Sequence, residues 1–148
     1  MIKTRTDVSI VAAQLASFFE LLLLSQFRSV ITVPHFIVTL GVGLTLLIGS
    51  GLNLGHRSYS PLTTPKKSNV FVRQGIYRYI RHPIYLGLLI TGLPFLLSSL
   101  TLQSGLAFGL LVLVTNIRAD VEESLLEEIY PGYKDYREQT KRYIPFVY

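Results

Sequence analysis

The run Gly75-Ile76-Tyr77-Arg78-Tyr79-Ile80-Arg81-His82-Pro83-Ile84-Tyr85-Leu86-Gly87 puts cations, a histidine and three tyrosines at the edge of a long apolar segment. Polar chemistry at a membrane boundary usually marks function. Proline is favoured at the first helical position, so Pro83 is expected to open a helix with His82 as its cap and Arg81 just outside. Such a start offers backbone N–H groups to an anion. A histidine between a helix start and a cation can bind a ligand or exchange a proton. Gly87, one turn on, lets a helix or a ligand approach the backbone closely.

A second constellation lies near residue 120. On a helical wheel, Val121, Leu125, Leu126 and Ile129 form one apolar face, with Arg118 and Glu122 in its middle. Arg118 and Glu122 are four apart and can pair. A charge pair on an apolar face is costly to desolvate, so a pocket is expected around Glu122. Asp120, Glu123, Ser124 and Glu127 point the other way and read as a solvated face.

The segments that must position these groups are apolar blocks. The chain has 148 residues, 49% of them hydrophobic, enough for one domain over 1–148. Four blocks are expected to cross a bilayer, over residues 8–27, 33–54, 84–100 and 102–117, the last two as a tight hairpin. The first contains Glu20 and lacks a clean small-residue cleavage site, so it reads as a span and not as a signal peptide. The expected fold is an all-α integral membrane protein with amphipathic cytoplasmic helices at its C-terminal end.

Basic residues test that topology, since they gather on the cytoplasmic face. Of the 14 lysines and arginines, all but Arg28 fall on one side of a four-span arrangement, the side that also carries both termini. The net charge of +5 is thereby explained by topology and by contact with anionic lipid, and nucleic acid is not an expected partner.

Smaller signals complete the picture. Residues His56 to Lys67 read as an irregular loop. Pro94 is expected to kink the third span, and Tyr133, Tyr136 and Tyr143 to line a basic amphipathic segment lying on the membrane surface. Gly41-x-Gly43 reads as close helix packing, not as a nucleotide motif, because no strand precedes it. Gln14 and Glu20 receive no role. The absence of cysteine removes thiolate chemistry, His35 and His56 lack ligand-spaced partners, and no metal is expected.

Taken together, Val70-Phe71-Val72-Arg73-Gln74-Gly75-Ile76-Tyr77, the Arg81-to-Gly87 run, Glu122-Glu123-x-Leu125, Gly132-Tyr133-x-x-Tyr136 and Arg142-x-Ile144-Pro145 resemble the isoprenylcysteine carboxyl methyltransferase family. That superfamily also holds phospholipid N-methyltransferases. The resemblance spans residues 70–145. It implies a membrane enzyme that passes the methyl of S-adenosylmethionine to a hydrophobic, lipid-like acceptor, most readily an isoprenylcysteine-type carboxylate. Carried over by position, Phe71, Val72 and Tyr77 contact the cofactor and His82, Pro83, Tyr85 and Gly87 cradle it. Glu122 and Glu123 match the acidic pair.

Methyl transfer from a sulfonium is an in-line displacement that asks mainly for positioning, the cofactor carrying the reactive group. A carboxylate acceptor needs an orienting cation, Arg81 or Arg118. An amine acceptor needs a base, Glu122 or His82. Two departures from the family stand out: only two spans precede the motifs, and Ile84 follows Pro83 where many prenylcysteine enzymes carry a small polar residue. Sterol reductases, which use a nicotinamide cofactor, share an Arg-His-Pro motif but continue differently, and a non-enzymatic scaffold is the third reading.

Overall fold

A computed structural model describes residues 2–58 and 72–145 of the chain. Phe71 and most of the expected loop from His56 to Lys67 lie outside the described residues. Four long helices and two short ones follow in order: α1 (Ile2–Leu24), α2 (Phe27–Thr32), α3 (Pro34–Ser58), α4 (Pro83–Ser98), α5 (Leu102–Ile129) and α6 (Tyr133–Gln139). A 310 turn, Gly75–Arg78, precedes α4.

The first apolar block is divided. Helix α1 ends at Leu24, where the Ser25 hydroxyl donates to the Leu22 carbonyl at 2.7 Å and the Gln26 amide donates to the Ser98 hydroxyl at 3.1 Å. Phe27 therefore opens α2. The hairpin between α4 and α5 is set by a reciprocal cap: Thr101 accepts from the Ser104 amide at 3.1 Å, and the Ser104 hydroxyl accepts from the Thr101 amide at 2.9 Å.

The fourth block and the acidic segment after it are one helix of 28 residues. At about 1.5 Å per residue it is about 42 Å long, so it outruns a hydrocarbon core of about 30 Å and its last turns project beyond it. Asp7–Leu24, Pro34–Gly55 and Leu102–Ile129 are each long and apolar enough to cross a membrane, while Pro83–Ser98 is a shorter apolar helix. Leu15, Phe19, Leu23, Val38, Leu52 and Leu106 point outward, which suits a chain whose solvent is lipid. This is an all-α, multi-pass membrane protein.

Inside, Leu21, Val30, Phe95, Ala107 and Leu111 form one apolar cluster at the hairpin end. Pro94 lies inside α4 and is fully buried. The contact of α3 with α4 depends on missing side chains. A Cβ placed on Gly87 would stand 2.6 Å from the Leu47 backbone nitrogen, and one on Gly43 would stand 2.6 Å from that of Thr91. What Gly87 meets is thus a neighbouring helix. Gly87→Leu is expected to push α3 and α4 apart, destabilise the fold by about 1–3 kcal/mol and lower the detergent melting temperature measured by circular dichroism.

At the other end of the bundle the C-terminal segment is stitched to the start of α4. Ile80 and Lys141 form a parallel bridge. The Arg81 amide donates to the Lys141 carbonyl at 2.8 Å, the His82 amide to that of Arg142 at 3.1 Å, and the Lys141 amide to that of Tyr79 at 3.1 Å. Tyr133, Tyr136 and Tyr143 are all buried within the protein. Their rings pack into the protein because this pairing draws the segment inward.

Candidate functional site

Glu123 is the hub of the stitched end. Its side chain is only 3% exposed, and Oε1 accepts from Arg81 Nε at 2.9 Å and faces His82 Nε2 at 3.0 Å. Oε2 takes Arg142 Nη2 at 3.2 Å and lies 3.5 Å from Arg137 Nε. The expectation of a solvated Glu123 is therefore wrong, and α5 shows why. Its buried positions include Ala107, Leu111, Thr115, Ala119 and Glu123, in steps of four that carry one protein-facing side past the end of the apolar block. The wheel drawn on the tail alone missed this phase, because the tail packs on α6 and the Arg81 segment, not on lipid. Glu127 does face outward, pairing with Arg137 at 2.6 Å.

Arg81 is fully engaged as a strap. Besides Glu123, it donates through Nη1 to the carbonyl of Arg137 at 3.0 Å and to that of Thr140. Arg142 adds Asp120 at 2.7 Å to its Glu123 contact. Burial works against the Arg142 cation, yet the hydrogen bonds to Glu123 and Asp120 outweigh it and hold it above its ordinary range.

Glu122 occupies a different position, with its side chain 33% exposed. Tyr85 Oη donates to its Oε2 at 2.6 Å, and His82 Nδ1 lies 3.8 Å away. The His82 and Tyr85 rings stack nearly parallel, 5.1 Å apart at 5°. Arg118 stands over the other side of the arrangement, its guanidinium carbon 5.3 Å from the Tyr85 ring centroid. That guanidinium also reaches across to α1, where Nη1 donates to Gln14 Oε1 at 2.6 Å. Pro83 opens α4 as expected and His82 precedes it without capping it through its side chain.

The 310 turn closes one side. Gly75 has φ of +60°, the left-handed region that favours glycine, and Asn53 of α3 donates from Nδ2 to the Gln74 carbonyl at 3.3 Å. Tyr77 is buried, with its hydroxyl directed at the Ser50 carbonyl at 3.4 Å and its own carbonyl accepting from Tyr136 Oη at 2.6 Å. Burial pushes the Tyr136 phenol up to about 12, so it remains a donor across the physiological range. Val72 is half-buried at the start of the same segment.

An open cleft of about 600 Å3 lies outside the hub, lined by Arg81, Lys134, Arg137, Lys141 and Arg142 with Glu127 and Glu138. The structure thus brings together His82, Pro83, Tyr85, Arg81, Arg118, Glu122 and Glu123, and sets Gly87 against α3. Gln14, Arg137 and Thr140 join them unannounced, and Arg142, quoted only as part of the resemblance, holds Glu123 and Asp120. For Glu123, extending the four-residue rhythm of the fourth block would have been a sufficient signal; for Gln14 its polarity within an apolar block was the signal, and nothing local named its partners.

One end of the helical membrane bundle thus carries a buried ionic hub, with a partly exposed carboxylate and a stacked aromatic pair beside it. A family model described as phospholipid methyltransferase matches residues 29–132, and the chain belongs to that family. Membership implies a membrane methyltransferase acting on a lipid-like substrate. It supports the superfamily that also holds the isoprenylcysteine enzymes and does not select that subfamily. No curated protein and no solved structure matches the chain.

Proposed function

We propose that this chain transfers the methyl group of S-adenosylmethionine to a lipid-like acceptor at the cytoplasmic boundary of the membrane. The observation that carries this reading is the division of labour within the acidic pair: Glu123 is locked among Arg81, His82 and Arg142, while Glu122 keeps an accessible carboxylate beside Tyr85. The cytoplasmic orientation is supported by the sequence, in which all basic residues but Arg28 fall on the site's side of the expected four-span arrangement.

The donor set suits the cofactor. S-adenosylmethionine presents ribose hydroxyls, an ammonium and a flat adenine; the Glu122 carboxylate can accept from the first two, and the aromatic residues Tyr77, His82 and Tyr85 offer flat apolar surface. When bound, the cofactor supplies a methyl on a positively charged sulfur, which leaves as the neutral thioether. Tyr85 holds Glu122 by its hydroxyl, and His82 is held in turn by Glu123. The Glu123 strap joins α4, α5 and the C-terminal segment into one rigid frame, so positioning is its contribution.

For the acceptor, the isoprenylcysteine-type carboxylate remains the first reading, and Arg118 is its orienting cation. Arg81 is bound by Glu123 and two carbonyls, and Arg118, held by Gln14, lies against the Tyr85 ring. A phospholipid amine is the second reading, favoured by the accessible Glu122 carboxylate, which can take the proton that an amine must lose. The test is incorporation of labelled methyl from S-adenosylmethionine into N-acetyl-S-farnesylcysteine or into phosphatidylethanolamine vesicles by the purified protein. Label in either lipid supports the reading and chooses between acceptors; label in neither, from folded protein, removes it.

A further inference from the structure

The open cleft outside the Glu123 hub takes no part in the methyl-transfer site. Its walls come from Glu127 near the end of α5, from Lys134 and Glu138 on α6, and from Lys141 in the segment that pairs with Ile80. Three guanidiniums also line it, but each already holds a carboxylate: Arg81 and Arg142 are bound to Glu123, and Arg137 to Glu127. Lys134 and Lys141 are different. Both are exposed, and among the described residues neither ammonium has a partner. Glu138 is likewise without one, so the cleft holds two free cations against one free carboxylate. That excess favours an anion.

The depth of the cleft selects the source of the anion. Glu127 lies 25 positions past Leu102, about 37 Å along α5, and so about 7 Å beyond a hydrocarbon core of about 30 Å that begins at the exposed Leu102. Head groups extend a bilayer to about 40–45 Å, which puts this level among the lipid phosphates. The neighbours of Lys141 suit the same layer. Tyr79, whose carbonyl accepts from the Lys141 amide at 3.1 Å, is 54% exposed, and Ile144, three residues on, is 51% exposed. Exposed aromatic and apolar groups beside free cations are the composition of a membrane-water boundary.

We propose that this cleft is a binding site for the head group of a net-negative phospholipid, with Lys134 and Lys141 holding its phosphodiester. Ammonium groups act as point charges on flexible stems, which suits a phosphate held at an open site. A lipid seated there ties α6 and the C-terminal segment to the leaflet from outside, as Glu123 ties them to the bundle from inside. The site is separate from the residues assigned to methyl transfer and does not depend on that assignment.

The experiment titrates short-chain phosphatidylglycerol, short-chain phosphatidylcholine and glycerol phosphate into the full chain in a neutral detergent, with binding read by calorimetry. Wild-type protein is expected to bind phosphatidylglycerol saturably and at least tenfold more tightly than either of the others. Lys134→Gln and Lys141→Gln should each weaken that binding about fivefold, as expected for one cation near an anionic surface. Together they should weaken it at least tenfold, while the melting temperature of the lipid-free protein stays put because neither side chain has a partner to lose. Lys134→Arg with Lys141→Arg keeps the charge and should keep the binding. Arg78→Gln removes an exposed cation from the same end of the bundle but outside the cleft, and should leave the preference intact. Equal losses from Arg78→Gln and from the lysine variants would mean a diffuse field and not a site, and would overturn the inference. So would equal affinity for phosphatidylcholine. Binding of glycerol phosphate as tight as that of the lipid would also overturn it, by making the ligand a soluble phosphate ester. None of these readouts uses S-adenosylmethionine, so failure of the methyltransferase reading is seen separately.

Discussion

Glu123→Ala is expected to destabilise the protein by about 3–5 kcal/mol, the usual consequence of removing one partner from a buried ionic group. Arg81 and Arg142, 10% and 14% exposed, would lose their shared carboxylate, and His82 would lose the partner of its Nε2. The damage should be confined to the end of the bundle where α4 meets the C-terminal segment, since the apolar cluster around Leu21 and Leu111 lies elsewhere. Thermal melting in detergent checks the size of the effect. A double substitution, Arg81→Ala with Glu123→Ala, should cost less than the sum of the single ones, because the charge left behind by either is absent. A Glu123→Ala protein that melts like the wild type would mean that the hub does not hold the fold.

Glu122→Gln is expected to do the opposite, sparing the fold and removing activity. Its carboxylate is one-third exposed, accepting from the Tyr85 hydroxyl with His82 Nδ1 3.8 Å away, and an amide can still accept that hydroxyl, so the melting temperature should change little. With an amine acceptor, loss of the proton acceptor should lower kcat by about 10²–10⁴-fold. With a carboxylate acceptor no base is needed, and the loss should fall on KM for S-adenosylmethionine instead. Steady-state kinetics therefore separate the two acceptor readings with one variant. Wild-type kcat and KM in Glu122→Gln would take Glu122 out of the site.

The contrast between adjacent glutamates shows what could be read from the chain alone. Length and apolarity were sufficient for three of the four expected spans, because a bilayer imposes a fixed thickness on any helix that crosses it; the helix Pro83–Ser98 is shorter than that. Pro83 as the start of α4 was legible from backbone chemistry. The wheel set Glu122 on an apolar face, and it is partly buried against Tyr85; the burial of Glu123 was missed, since the wheel treated the tail as a separate helix while the fold continues α5 through it. The inward turn of Tyr133, Tyr136 and Tyr143 depends on the pairing of Ile80 with Lys141, which no local pattern encodes. Gln14 is the extreme case: its partners, Arg118 and Thr115, are more than 100 residues away, 104 and 101 positions along the chain. Only packing of α1 on α5 brings them together.

The most direct measurement is calorimetric titration of S-adenosylmethionine and S-adenosylhomocysteine into the detergent-purified protein and its Glu122→Ala and His82→Ala variants. The account predicts saturable binding of both by the wild type, and at least tenfold weaker binding by Glu122→Ala at an unchanged melting temperature. Folded wild-type protein that binds neither compound would contradict it, and binding of NADPH in their place would turn the site toward reductase chemistry.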